Sequence, residues 1–86
     1  MKEEVLSALN SELAYQEAQT ANPSRPDMVE KLSAGDIILA MEHNLARARE
    51  LWYSGSAPHT EAAEYIRKVS ALGVVFMSTF DAPERV

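Results

Sequence analysis

Three stretches of the chain repeat apolar residues at helical spacing, and two proline-containing breaks separate them. The first runs from about Glu3 to Ala21. Val5, Leu6, Leu9 and Leu13 share one face before the stripe fades into Gln16 and Thr20. Apolar residues three and four apart mark a helix that buries one side. Asn22-Pro23 ends it, because the residue before a proline avoids the helical region. Ser24 with Asp27, and again Ser33 with Asp36, set a serine three residues ahead of an acid, the capping-box arrangement. The two start signals predict a short helical turn over Asp27–Leu32 and then a fresh start. A single helix running through Gly35 is the alternative, at a cost of about 1 kcal/mol for that glycine relative to alanine.

The second long helix has the clearest pattern. Ala34, Ile37, Ile38, Met41, Leu45, Ala48, Leu51 and Trp52 cluster on one side of the helical wheel, opposite His43, Arg47 and Glu50. Leu45 lies on this dense stripe, so Leu45→Asp is expected to abolish folding. Gly55 stands where a helix end takes a left-handed residue. The turn Ser54–Pro58 is short enough to make its flanking helices antiparallel neighbours. The last helix begins near Thr60 and carries Glu61 and Glu64 in its first turns, where the helix dipole favours acids. Its core face is Ala62, Ile66, Val69, Gly73, Phe76, Met77 and Phe80, flanked by Tyr65 and Leu72. In its second half Ala71, Val74, Val75 and Ser78 occupy the side away from that core. A helix that is apolar nearly all round is buried on more than one side. These four residues are therefore assigned to self-association, and Val75→Glu is expected to dissociate the oligomer by burying an unpartnered charge. The tail Asp81–Val86, with Pro83, leaves the bundle.

The fold class that follows is all-α: three long helices plus one short helical turn. The second and last long helices pair as an antiparallel helical hairpin, the N-terminal helix packs on it, and the whole is homo-oligomeric. Residues 1–86 read as a single helical domain. A chain this short buries only about 60–65% of the surface that its unfolded form exposes, so its core is marginal. The absence of cysteine removes disulfide staples and thiolate metal sites, which again favours self-association as the source of stability.

Charge narrows the partners. Eight Lys and Arg against 13 Asp and Glu give a net charge of −5, which argues against duplex nucleic acid. It leaves room for a basic protein partner or for a small anion at a local basic spot. Met1-Lys2-Glu3-Glu4 lacks the basic and apolar regions of a signal peptide. The most apolar stretch, Val69–Phe80, is shorter than the roughly 20 residues that span a bilayer. A soluble, cytoplasmic protein without membrane contact is expected.

Candidate chemistry is sparse. Glu61 and Glu64 form half of the paired-carboxylate motif that holds Mg²⁺ in all-helical nucleotide pyrophosphatases, but no second pair follows. Helix-dipole compensation accounts for them. A two-histidine metal site on one helix needs a spacing of four, which His43 and His59 do not have, so no metal and no cofactor is expected. No nucleophile stands with a base and an orienting third group, and no glycine-rich phosphate loop is present, so no catalytic residue is assigned. His43, Arg47 and Glu50 form either a solvated stripe or a contact surface in which Arg47 forks a carboxylate or phosphate of a partner. Tyr53 lies off the core face beside Arg49. Arginine with tyrosine is a composition enriched at interaction hot spots, and the plainer reading keeps Trp52 in the core with Tyr53 at its edge.

The stretch Glu61–Val74, followed by Ala82-Pro83-Glu84-Arg85, resembles the C-terminal part of short helical accessory proteins of tailed phages. That resemblance implies a phage-encoded inhibitor that occludes a host or defence protein in the host cytoplasm. It carries over no site residues. The function expected is a non-catalytic helical binding module that self-associates and presents a side-chain face to a protein partner. The alternative is an oligomeric sponge whose subunits together build pockets for a small anionic nucleotide, with Arg47, Tyr53, His59 and Arg67 converging from two chains.

Overall fold

A computed structural model describes residues 2–20, 33–55 and 59–85. The described residues form three helices and no strand: α1 (Glu3–Thr20), α2 (Ala34–Ser54) and α3 (His59–Phe80). The turn expected over Asp27–Leu32, the Asn22-Pro23 break and the start signal at Ser24 lie outside the described residues.

The ends of α2 form for local reasons. Ser33 is extended (φ −73°, ψ 163°), and its hydroxyl accepts the Asp36 backbone N–H at 3.1 Å. The Asp36 carboxylate in turn accepts the Ser33 backbone N–H at 3.1 Å and its hydroxyl at 2.8 Å. The box is closed in both directions and the helix starts after Ser33, so the fresh start holds. At the other end Gly55 adopts φ 71°, a left-handed conformation that costs glycine nothing, and its N–H reaches the Trp52 carbonyl at 3.4 Å. In α3 the closing left-handed residue is Asp81 (φ 62°), one of the few side chains that tolerate it. Residues 81–85 beyond it are exposed and without helix or strand.

The hydrogen bonds from the Ser33 hydroxyl and backbone hold the Asp36 carboxyl below its ordinary value. A group whose pKa is lowered by folding stabilises the fold above its unfolded value, and that contribution vanishes as pH falls through the folded value. Ser33→Ala, which removes the helix cap, is expected to cost about 1 kcal/mol near neutral pH. It should also flatten part of the acid limb of stability, as read by thermal melts followed by circular dichroism. An acid limb identical to that of the parent chain would refute this account of the cap.

α3 is the middle helix: α2 packs closely along it, and α1 packs on it elsewhere. On α2 the buried residues are Ile37 and Ala48, with Met41 half-buried between them. The Met41 Cε lies 3.7 Å from where a side chain on Gly73 would begin, which sets Met41 against this turn of α3. Further contacts place the Arg47 guanidinium 5.6 Å from the Tyr65 ring centroid and stack Trp52 on His59 at 5.1 Å.

The apolar arc of α2 is wider than the strip that α3 covers. Ile38, Leu45 and Trp52 are seven residues apart and so share nearly one azimuth. They are 46%, 53% and 61% exposed. Leu45 is thus no core residue, and the expectation that Leu45→Asp abolishes folding is corrected, because a carboxylate there would stand in water.

The second half of α3 is also revised. Ala71, assigned to the outward side, is completely buried within the chain, and Val74 and Val75 are half-buried. The reason is α1. Its Glu12 carboxylate accepts the Arg67 Nε–H at 2.9 Å, one helical turn before Ala71 on the same face of α3. The apolar seam of α1 is only partly used: Leu9 and Leu13 are half-buried, whereas Val5 and Leu6 are exposed. Among the described residues no helix is long and apolar enough to cross a membrane.

Candidate functional site

The residues proposed from sequence as a partner or ligand site fall into separate places. Arg47 bridges Glu50 one turn along α2 at 2.7 Å and lies over the Tyr65 ring, which also receives the Lys68 ammonium at 4.9 Å. The hydrogen bond to Glu50, and secondarily the Tyr65 hydroxyl, push the Arg47 guanidinium further above its ordinary value. This cation is already committed within its own chain. His43 is exposed one turn earlier on the same stripe. His59 stacks on Trp52 at the junction of α2 and α3. Arg67 serves the α1 contact through Glu12. Arg47, Tyr53, His59 and Arg67 therefore do not converge within one chain.

Of the four positions assigned to self-association, Ala71 is buried, Val74 and Val75 are half-buried and Ser78 is exposed. The Ser78 hydroxyl donates to the Val74 carbonyl at 2.8 Å, a bond internal to its own helix. Glu61 and Glu64 are both exposed, and among the described residues no three His, Cys, Asp or Glu side chains gather where they could hold a metal ion.

What the fold does bring together is a broad groove between α2 and α3, of about 700 Å³, open to solvent. Leu45, Trp52, Tyr53 and Ile66 form its apolar lining, and Glu42 and Arg49 also line it. Tyr53 is 78% exposed and Ile66 45%. Isolated exposed apolar residues are ordinary, but a contiguous cluster of them marks an interaction surface. The chain matches no protein family, no curated protein and no solved structure. The site's meaning accordingly rests on its geometry.

Sequence reasoning drew attention to Tyr53 and Arg49 and missed Leu45 and Ile66, which it spent on the core. The signal was present in the width of the α2 stripe: eight apolar positions form an arc broader than one neighbouring helix can cover. A second cleft, between α1 and α3, is lined by Ser11, Glu12, Tyr15, Arg67 and Lys68. Its Arg67 and Glu12 pair with each other, and its other cation, Lys68, lies over the Tyr65 ring.

Proposed function

We propose that this chain is a non-catalytic helical binding module whose contact surface is the open face of α2 and the groove that α2 makes with α3. In this reading α2 and α3 form an antiparallel hairpin and α1 is a brace along the back of α3. Three cross-contacts support the hairpin, because they run in opposite order along the two helices: Met41 with Gly73, Arg47 with Tyr65, Trp52 with His59. The binding reading is carried by the exposure of Leu45, Trp52, Tyr53 and Ile66 in one groove. Two aromatic rings and two aliphatic side chains provide the apolar centre that a packed interface needs, and Glu42 and Arg49 provide polar neighbours that set register. A groove of this shape fits an amphipathic helix laid along it.

A photo-crosslinking amino acid placed at Tyr53 tests this in cells expressing the chain, with the same probe at His43 on the far face as the control. A discrete crosslinked band is expected from position 53 and not from position 43, and it should fade in Trp52→Ala or Ile66→Glu backgrounds. Equal labelling from both positions, or none from position 53, would overturn the reading.

A further inference from the structure

We infer that the occupant of this face is a second copy of the same chain, packed antiparallel across α2 about a two-fold axis near Leu45 and Ala46. The inference rests on the binding reading above and names its partner. The exposed face of α2 carries Ile38, Leu39, Leu45, Trp52 and Tyr53, between 46% and 78% open to solvent. With Ile66 from α3, also 45% exposed, these make six large apolar side chains in one patch, more than the singly scattered apolar residues of an ordinary monomer surface.

The charges within this face choose the partner and the direction. Glu42 and Arg49 are the acid and the base among these apolar residues, and both are exposed. Seven residues apart, they share nearly one azimuth, on either side of the helix midpoint. Among the described residues neither has an ion-pair partner within its own chain. Rotating a second copy about that midpoint sets Glu42 of each copy against Arg49 of the other, twice over, and sets Ile38 against the Trp52–Tyr53 end. A parallel pairing would instead oppose Glu42 to Glu42 and Arg49 to Arg49. The pattern is self-complementary in one orientation only, the property a two-fold interface requires. Unlike charges in register also disfavour slipped pairings, where each would lose its counterpart.

The test uses the full chain and light scattering over a concentration series. The parent chain is expected to have twice the mass of one copy. Glu42→Arg and Arg49→Glu alone should each weaken self-association at least tenfold, because each leaves like charges facing across the axis. Mixed in equal amounts, the two variants should form a heterodimer, since one then carries two cations and the other two anions. The double variant with both changes should recover association. Leu45→Glu should be monomeric with unchanged helical circular dichroism, its site being exposed within one copy. Dimers indifferent to the changes at 42 and 49 would overturn the inference by placing the contact on another face, such as Val74–Val75. A heterodimer no tighter than either variant alone would also overturn it. A monomeric parent chain whose position 53 still crosslinks to a different polypeptide overturns the self-pairing and leaves the binding groove. A monomer with no crosslink from position 53 removes both.

Discussion

Ile37→Ala is expected to lower the free energy of unfolding by about 3 kcal/mol, against about 1 kcal/mol or less for Leu45→Ala in a single copy. Both lie on the α2 stripe and periodicity alone cannot separate them. Ile37 is 1% exposed and is the one large side chain fully shut away among the described residues, whereas Leu45 is 53% exposed. Truncating Ile37 removes the buried aliphatic atoms and leaves a void against α3, while truncating Leu45 removes atoms that already face water. For a domain of this size the whole stability is roughly 4–13 kcal/mol, so the first loss is a large part of the total. Urea titration followed by far-ultraviolet circular dichroism measures it. The fluorescence of Trp52, already 61% exposed, would report little of the transition. If α2 also pairs with a second copy, the cost of Leu45→Ala grows with protein concentration while that of Ile37→Ala stays level, because only the former touches the bimolecular step. Equal costs for the two at low concentration would place the core on a different edge of α2.

This contrast shows which part of the structure was legible in the residues. Helix ends were, because Ser33, Asp36 and Gly55 act through bonds to their own neighbours and need no tertiary partner. The all-helical class was equally local in origin. The azimuth at which each helix meets the next was not, since a stripe of eight apolar residues states how wide the buried face can be and not where one neighbour stops covering it. The stripe therefore assigns Leu45 and Trp52 to the core, whereas in the fold they line an open groove. On α3 the pattern shows two apolar sides, and within the chain Ala71 on the second of them is buried. The apolar seam of α1 is narrow, with Glu12 and Gln16 among its leucines. A carboxylate goes inside here only because Arg67, 55 residues further on, meets it. No spacing rule within one helix encodes such a meeting.

That pairing predicts an asymmetry. Glu12 is 5% exposed, with Arg67 Nε at 2.9 Å and the Gln16 side-chain amide donating at 3.5 Å to its other oxygen. Arg67→Ala strips the carboxylate of its counter-charge while α1 still holds it out of water. Breaking a fully buried pair from one side costs about 3–5 kcal/mol. The Arg67 side chain is 38% exposed, so water can take part of its place, and about 2–3 kcal/mol is expected instead. Glu12→Ala should cost less, because the guanidinium it leaves behind can turn to solvent along its flexible stem. Replacing both residues with leucine should recover most of the loss, since an apolar pair at this contact needs no desolvated charge. Denaturant midpoints for the parent, the two alanine variants and the variant with both alanines provide the coupling energy, and hydrogen exchange locates it. In Arg67→Ala the amides of α1 should lose protection before those of α2 and α3, because α1 rests on α3 alone among the closely packed pairs. Equal penalties for the two single substitutions, with protection lost evenly over all three helices, would mean that α1 is held by the leucines of its seam and that the ion pair merely decorates the joint.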